Sequence, residues 1–198
     1  QHNQSFSPGR NCLAGHADDA NGFLERGKNV ERTMKKIIAK KRHSIRRSQG
    51  QELLSRLAEQ IGPSEKLFHA DMIEVLETNA DVSLFLVNKK PLLMDTGNWV
   101  FPTLRGAVQI PFPERRVAVD AGAIPYVVNG ADIMRPGIVS VTDDVKANAP
   151  VQIVDERHGK PLAIGIALFD APEMRASTTG KMVKKFHHVG DEIWNLEI

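Results

Sequence analysis

The apolar segments in the second half of this chain are short, and turn-forming residues separate them. In the stretch V-N-G-A-D-I-M-R-P-G-I (residues 128–138), two glycines and a proline interrupt one short apolar run. Segments typical of strands lie at residues 116–120, 138–141, 151–155, 162–169 and 181–188. Short strands of this kind predict that the second half folds into a small, closed, mixed β-barrel.

The first half carries the clearest helical pattern. Four apolar residues recur at helical spacing over residues 53–61, as expected for a face in contact with a core, and Gly62-Pro63 ends the pattern. Ser44 is the predicted N-cap of this helix. The predicted elements of this half are a strand at residues 35–40, a helix at 45–61 and strands at 72–77, 82–87 and 91–94. The predicted fold class is therefore α+β, with an N-terminal α/β domain before the barrel.

Prolines mark two further features. The pentapeptide F-P-T-L-R (residues 101–105) is predicted to open a short helix with Pro102 at an early position, where its missing N–H has no cost. The segment I-P-F-P (residues 110–113) is a stiff connector, and we place a domain boundary there. The predicted parts are a disordered or accessory tail at residues 1–32, an α+β domain at 33–112 and the barrel at 113–198.

Smaller elements are predicted within the barrel. A helix of about two turns is expected over residues 121–129, ended by Gly130. Ile133 and Met134 are expected to enter the core, and residues 192–196 are expected to form a last strand.

The composition excludes several classes of protein. The 198 residues include one cysteine, so no internal disulfide framework exists. No apolar run reaches the roughly 18 residues of a membrane-spanning helix, and no apolar signal segment is present near the N-terminus. We therefore expect a soluble, cytoplasmic protein with no membrane partner.

Positive charge is concentrated in two clusters, although the formal net charge is only +2. Residues 31–50 contain eight basic residues and one acid, which gives 8 − 1 = +7. Residues 175–190 contain four basic residues and no acid. Clustered positive charge attracts polyanions, and two such clusters favour nucleic acid as the partner over a merely solvated surface.

Several suggestive motifs do not carry an activity. The S-T-T-G-K segment at residues 177–181 lacks the spacing of a phosphate-binding loop. His187 and His188 are neighbours on a strand, so they point to opposite faces and cannot chelate a metal together. Cys12 and His16 do not make a zinc site, and Ser55, His69 and Asp71 do not make a catalytic triad. The acids at residues 143–144 and 155–156 are expected to be solvated. Trp99 and Trp194 are assigned to domain packing. We predict no catalytic residue, no metal and no cofactor.

Three short motifs in the barrel region resemble a known family. They are A-V-D-A-G-A (residues 118–123), N-G-A-D-I-M (129–134) and P-G-I (136–138), and the pattern continues through residues 165–167, 177–181 and 181–188. Together they resemble the PUA domain, a small RNA-binding β-barrel named after pseudouridine synthases and archaeosine transglycosylases. The F-P-T-L-R pentapeptide looks like the signature that precedes this domain in the malignant T-cell amplified sequence family, whose archaeal relatives are stand-alone proteins of about this size.

The resemblance implies an N-terminal domain joined to a PUA domain at residues 113–198, and binding to structured RNA. Transfer-RNA acceptor ends and small-subunit ribosomal RNA are the implied targets, and eukaryotic relatives act with an initiation-factor-like protein partner. Carried onto this sequence, the RNA surface comprises Gly122, Ala123, Ala131, Asp132, Ile133, Met134, Lys184, Lys185 and His187. Charge adds Arg135 and Lys181 to this set, and the first basic cluster adds Lys40, Lys41, Arg42, Arg46 and Arg47.

The sequence therefore predicts a non-catalytic RNA-binding protein of translation or ribosome handling. One alternative is a protein-interaction adaptor whose basic surface binds an acidic partner. A further alternative is an RNA-modification enzyme or its accessory subunit, although about eighty residues before the barrel leave little room for a catalytic domain.

Overall fold

The structure is a computed structural model that describes residues 36–198. The tail predicted at residues 1–32, with Cys12 and His16, lies outside the described residues. The strands are β1 (Ala39–Ser44), β2 (Ile73–Thr78), β3 (Ser83–Val87), β4 (Lys90–Asp95), β5 (Val100–Pro102), β6 (Arg116–Val119), β7 (Ile133–Met134), β8 (Ile138–Val141), β9 (Pro150–Asp155), β10 (Pro161–Ala167) and β11 (Lys181–His188). The helices are α1 (Arg47–Ile61), α2 (Leu104–Gln109), α3 (Ile124–Val128) and α4 (Ala171–Ala176), with 3-10 helices at Gly62–Phe68 and Arg135–Gly137.

Five antiparallel strands in the order β1-β2-β3-β4-β5 form the N-terminal sheet. Helix α1 contributes Leu53, Leu57 and Ile61 to the core of this half, each at most 4% exposed, which confirms the apolar face predicted from the sequence. The helix ends at Ile61, as predicted, and a 3-10 helix follows. A two-pronged ion pair between Arg56 and Asp95, with N–O distances of 2.5 and 2.8 Å, fastens α1 to the end of β4.

Six strands in the order β7-β11-β10-β9-β6-β8 form the second sheet, in which β6 and β9 run parallel and the other pairs are antiparallel. Its two edge strands, β7 and β8, are consecutive in the chain, with only Arg135–Gly137 between them. This short connection keeps the two edges close together, so the sheet curls into a nearly closed barrel. The predicted fold class, α+β with a small mixed β-barrel, is confirmed.

The F-P-T-L-R pentapeptide passes from strand to helix at Thr103 rather than at Pro102. Pro102 is the last residue of β5, and the Thr103 hydroxyl caps α2 by accepting a hydrogen bond from the Gly106 N–H (3.0 Å). The same hydroxyl donates to the carbonyl of Pro91 (2.7 Å). A side chain at Gly106 would collide with the carbonyl oxygen of Leu92, so only glycine lets α2 lie this close to β4.

Aromatic side chains join the two sheets. Trp99 packs edge-on against Phe186 of β11, with ring centroids 5.2 Å apart. Arg105 of α2 lies 4.4 Å from the centre of the Trp194 ring and donates a hydrogen bond to the Trp194 carbonyl (2.9 Å). Ile164 of β10 is fully buried in the N-terminal core. The prediction that both tryptophans serve packing between the two halves is confirmed.

Some element limits differ from those predicted. The first strand lies at Ala39–Ser44, so Ser44 ends a strand and is not the N-cap of α1. Arg46 takes the N-cap position, and its backbone N–H donates to the side chain of Gln49 (2.9 Å). Residues 192–195 form a turn, so the last strand predicted at residues 192–196 is not formed. The domain boundary at residues 112–113 stays a prediction.

Candidate nucleic-acid interface

Exposed lysines along β11 form the most basic part of the barrel surface. Lys181, Lys184 and Lys185 are exposed, whereas Met182 and Val183 between them are buried in the barrel core. The pairing register of β11 with β10 shifts beside Lys185, which marks a β-bulge. Bulges change the direction of side chains along a strand, and here two consecutive lysines face solvent. We call these three lysines, together with Asp132, the barrel patch.

Asp132 organises the barrel patch from the loop before β7. Its carboxylate lies 2.6 Å from the Lys181 ammonium group and accepts a hydrogen bond from the Lys185 backbone N–H (2.8 Å). Burial works to raise the pKa of Asp132, but the hydrogen bonds from Lys181 and Lys185 outweigh it, and the pKa lies below its usual value. Asp132 therefore stays ionised and partly neutralises Lys181. Lys184 and Lys185 have no salt bridge to another residue of the described chain.

A loop of small residues, which includes Gly122 and Ala123, adjoins the start of α3. The helix covers only Ile124–Val128, shorter than the prediction of 121–129, because residues 121–123 form a turn. The turn is held by the Ala123 N–H, which donates to the Asp120 carboxylate (2.8 Å). After α3, Gly130 adopts a φ of +83°, and a Cβ there would lie 2.7 Å from the His188 ring. Backbone geometry therefore fixes this side of the surface.

Two of the predicted contact residues face the interior. Ile133 is 2% exposed and His187 is 1% exposed. One ring nitrogen of His187 lies 2.8 Å from the carboxylate of Asp191, which also accepts hydrogen bonds from the N–H groups of His188 and Trp194. Asp191 was not singled out from the sequence, because an acidic residue next to a glycine is typical of a turn. Met134 is 49% exposed, so the prediction that it enters the core is wrong.

Arg135 forms hydrogen bonds within the protein. Its guanidinium group donates to the carbonyl of Ile138 (3.0 Å) and to that of Arg175 on α4 (3.4 Å). Arg175 in turn donates to the Val141 carbonyl and to the Asp143 carboxylate. These contacts fasten α4 to the connection between β7 and β8, so the charge of Arg135 is directed partly toward the protein itself.

The first basic cluster forms a second surface, on β1 and the start of α1. Its members Lys40, Lys41, Arg42, Arg46 and Arg47 are all exposed, and we call them the N-terminal basic surface. Arg42 is paired with Glu74 of β2 through two hydrogen bonds of 3.1 and 2.8 Å. The hydrogen bond from Arg42 lowers the pKa of Glu74, against the opposing effect of burial. Arg42 is therefore already neutralised by a neighbour.

Arg46 and Arg47 line a groove with a volume of about 690 Å³. His69, Ile73 and Asn88 also line this groove. Neither arginine forms a salt bridge to another residue within 36–198. The groove therefore offers two available guanidinium groups beside a concave surface.

Two acids predicted to be solvated are structural. Asp155 is 8% exposed, and its carboxylate accepts hydrogen bonds from the N–H groups of Arg157 (3.0 Å), His158 (2.6 Å) and Lys160 (3.0 Å). These bonds hold the turn between β9 and β10 and lower the pKa of Asp155. Asp144 is half-buried and accepts a hydrogen bond from the Arg115 backbone N–H (2.8 Å). Neither carboxylate acts as a freely solvated charge.

No metal-binding group is found in the part of the chain that the structure describes. A cluster of three or more His, Cys, Asp or Glu side chains in metal-binding geometry is absent from residues 36–198. His69 pairs with Glu65 (2.9 Å) and has no hydrogen bond to Ser55 or Asp71 among these residues. None of the described helices is long and apolar enough to cross a membrane.

Known proteins are similar to this chain in sequence and in architecture. The PUA domain family matches residues 115–190. An uncharacterised protein of Methanocaldococcus jannaschii is 40% identical over 125 residues, which cover 63% of this chain and 76% of that protein. A crystal structure of a hypothetical protein from Pyrococcus horikoshii has a TM-score of 0.72 and 34% identity, and the match covers 78% of this chain and 98% of that one.

Two named eukaryotic groups also match. Translation machinery-associated protein 20 of Schizosaccharomyces pombe is 34% identical over 99 residues, which cover 48% of this chain and 55% of that protein. Malignant T-cell-amplified sequence 1-A of Xenopus laevis is 28% identical over 128 residues, covering 63% of this chain and 66% of that protein. The barrel and its surface thus define a PUA-domain protein. The chain belongs to the same family as the archaeal protein of Methanocaldococcus jannaschii, and it is similar to the malignant T-cell-amplified sequence proteins.

Proposed function

We propose that this protein is a non-catalytic RNA-binding protein that acts in translation or ribosome handling. The observation that carries the proposal is the barrel patch, where Lys184 and Lys185 are exposed, form no salt bridge within residues 36–198, and contact the loop that contains Ala131 and Asp132 through the Lys185 N–H. The family relationship supports it, since similar proteins are named for the translation machinery. Structured RNA is the proposed partner, with the acceptor end of transfer RNA or small-subunit ribosomal RNA as the target.

The barrel patch suits a phosphate backbone. Lysines and backbone N–H groups bind phosphates and position the nucleic acid, while A-form RNA is recognised largely by its shape and its 2′-hydroxyl groups. Small residues at Gly122, Ala123 and Ala131 let RNA approach the main chain closely. We assign contacts to these residues and to Asp132, Met134, Lys181, Lys184 and Lys185, with Ile133, Arg135 and His187 supporting the surface from within or behind.

The N-terminal basic surface is the proposed second contact. Lys40, Lys41, Arg46 and Arg47 have no acidic partner among the described residues, and Arg42 would contribute less because Glu74 holds it. If about 4–6 phosphates are engaged in total, affinity is expected to fall by one to several decades across a fourfold rise in salt.

The proposal is tested by a gel-shift titration of total transfer RNA with intact 3′-CCA ends against the same RNA trimmed of these ends, at two salt concentrations. Tight, salt-dependent binding that weakens on trimming would support acceptor-end recognition. Equal binding would point to ribosomal RNA as the target. Failure to bind either transfer RNA or ribosomal RNA below about 10 µM at moderate salt contradicts the proposal.

The experiment needs a matched pair of variants. Lys184→Ala with Lys185→Ala removes two charges from the barrel patch, whereas Lys66→Ala removes an exposed lysine from the 3-10 helix after α1. Only the first change is expected to weaken binding. Turnover of a modified nucleoside in purified RNA would overturn the non-catalytic assignment.

An initiation-factor-like protein is a proposed further partner, on the strength of the family relationship alone. Pull-down from nuclease-treated lysate separates the two modes of action. Retention of one protein with no RNA, lost at high salt, would favour an adaptor. Retention that requires RNA would favour direct RNA binding.

A further inference from the structure

Tyr126 is an exposed aromatic residue on α3. It is the only tyrosine of the chain, and it is 69% exposed on α3. Within the described residues, neither its hydroxyl group nor its ring makes a hydrogen bond or an aromatic pair. By contrast, Trp99, Phe101 and Phe112 are each at most 9% exposed and pack against other aromatic rings. The exposure of Tyr126 therefore has no explanation in the packing of the protein.

The fold holds Tyr126 in place although its side chain is exposed. Its neighbour Val127 is 3% exposed and anchors α3 in the barrel core. The carbonyl of Tyr126 accepts a hydrogen bond from the Ala131 N–H (2.9 Å), which closes the turn after α3. The backbone under the ring is thus fixed at both sides, and an aromatic ring with few rotatable bonds loses little freedom when it binds a ligand.

Hydrogen bonds and the chain itself connect Tyr126 to the barrel patch. Ala131, which is bonded to Tyr126, is followed directly by Asp132, and Asp132 contacts both Lys181 and Lys185. Across the β7–β11 pair, Lys181 lies opposite Met134, which is 49% exposed. The residues that carry the exposed ring, the exposed thioether and the exposed ammonium groups are therefore connected through α3, the loop before β7, β7 and β11.

We propose that Tyr126 is a stacking platform for an unpaired nucleobase, and that the protein thereby prefers RNA with unpaired nucleotides to continuous duplex. The inference rests on the proposed function and adds to it a residue that recognises the unpaired nucleotides. A base inside a helix has both faces covered by its neighbours, so an aromatic side chain can stack only on a base that has left the helix. Lys184 and Lys185 supply the phosphate contacts for the same strand, and stacking itself tolerates any base because every base has a π-face.

The single tyrosine makes the experiment direct, because its ring protons give one identifiable set of NMR signals. The full chain is titrated with a short RNA hairpin carrying an unpaired 3′ tail and with the same hairpin lacking the tail. We expect the Tyr126 ring signals to move upfield with the tailed hairpin and to stay in place with the blunt one. Ring currents from a stacked base cause that upfield movement.

Binding constants of variants complete the test. Tyr126→Ala is expected to weaken binding of the tailed hairpin by roughly 5- to 100-fold and to leave the blunt hairpin within about twofold. Tyr126→Phe keeps the π-face and is expected to bind both hairpins like the parent. Phe169→Ala removes another partly exposed ring, 37% exposed, and serves as the control with no expected loss. Unchanged melting temperatures show that each variant is folded.

The outcomes separate this inference from the function on which it rests. If the parent protein binds the tailed hairpin but the ring signals do not move and Tyr126→Ala binds equally well, stacking is overturned and RNA binding stands. If Tyr126→Ala weakens both hairpins equally, the preference for unpaired bases is overturned. If the parent binds neither hairpin nor transfer RNA, the proposed function fails first.

Discussion

The barrel patch and the N-terminal basic surface both come from basic clusters in the sequence, yet different forces hold them. On the barrel, Gly130, Asp132 and Asp191 fix the position of β11 through backbone geometry and partly buried hydrogen bonds. On the N-terminal sheet, the side chains project from an edge strand and the start of a helix, and the main constraint is the exposed pair of Arg42 with Glu74. The backbone beneath the barrel patch is therefore held on both sides of β11, whereas the N-terminal basic surface lies on an edge strand and a helix start.

This difference has a consequence for binding. A surface whose backbone is already fixed loses less conformational freedom when a ligand binds, and each lysine or arginine side chain that becomes immobilised costs roughly 0.5–1.5 kcal/mol. The barrel patch is accordingly expected to set the identity of the bound RNA. The N-terminal basic surface is expected to add affinity that depends on salt and little on sequence.

The largest expected effect is on the backbone under the barrel patch. Gly130 has a φ of +83°, and a methyl group there would meet the His188 ring at 2.7 Å. Gly190 has a φ of +82° with nothing within 4 Å of the same position, so it is a matched control. Gly190→Ala is expected to cost about 1 kcal/mol of unfolding free energy from backbone strain alone, and Gly130→Ala about 2–4 kcal/mol. Chemical denaturation measures both values.

Equal losses at the two glycines would show that the ring of His188 moves aside freely. In that case the contact between Gly130 and β11 does not hold the patch, and the comparison loses its main structural support.

The next effect concerns Asp191 and pH. Burial works to raise the pKa of Asp191, but hydrogen bonds from His187, Trp194 and His188 outweigh it, so its folded-state pKa is depressed. A depressed carboxyl pKa stabilises the protein above the unfolded value of about 3.9, and this contribution is lost as the pH falls towards the folded value. The unfolding free energy is therefore expected to drop below about pH 4.

Asp191→Asn is expected to lower stability at pH 7 by about 1–3 kcal/mol and to flatten the profile below about pH 4. Glu74→Gln, on the N-terminal sheet, is the control, and its stability profile is expected to stay close to that of the parent because exposed ion pairs contribute little. Thermal unfolding between pH 3 and pH 7, a range that spans the unfolded carboxyl pKa, measures this. A steep acid loss that survives in Asp191→Asn contradicts the assignment.

The sequence predicted the barrel and its basic patch well because local signals and tertiary packing agree there. The limits of β11 and β8 match the prediction residue for residue, since each is a short run rich in apolar residues with turn-forming residues at its ends. The buried positions of α1 were predictable for the same reason. Where a short segment carries its own turn chemistry and its own apolar pattern, the fold adds little that the sequence does not indicate.

Other features depend on partners that are distant in the sequence. Ser44 resembled an N-cap, but pairing of β1 with β2 extends the strand through it. Arg135 resembled a free cation, yet the carbonyl of Arg175, on a helix forty residues away, accepts one of its hydrogen bonds. No pattern of neighbouring residues reveals such pairings, so the charge clusters overstate the charge that is available to RNA.

The third prediction compares the two surfaces directly through RNA affinity. Lys184→Ala with Lys185→Ala is expected to weaken binding roughly 10-fold at low salt and to reduce the slope of log K against log salt by about 2. Lys40→Ala with Lys41→Ala removes the same charge from β1 and is expected to weaken binding about 2- to 3-fold, because β1 is an edge strand, whereas β11 is held between β7 and β10. Fluorescence anisotropy with a labelled transfer RNA measures both. Equal losses would show that the surfaces act only through total charge.

The smallest expected effect comes from releasing Arg42. Glu74→Gln removes the carboxylate that holds Arg42 at 2.8 Å, so the guanidinium group becomes available to a phosphate. RNA affinity is expected to rise about twofold at low salt and to return to the parent value at high salt, since exposed charges are screened within about 10 Å at 0.1 M. The direction is the informative part, because a substitution on a binding surface ordinarily weakens binding.

Glu77→Gln is the control that separates the release of Arg42 from the change in net charge. Glu77 lies on the same strand, is exposed and pairs in register with Lys41, so its replacement raises the net charge by the same amount without releasing Arg42. A rise for Glu74→Gln alone places the RNA backbone within reach of Arg42 and makes the two surfaces parts of one binding face. An equal rise for both reflects net charge only, and RNA recognition then belongs to the barrel patch alone.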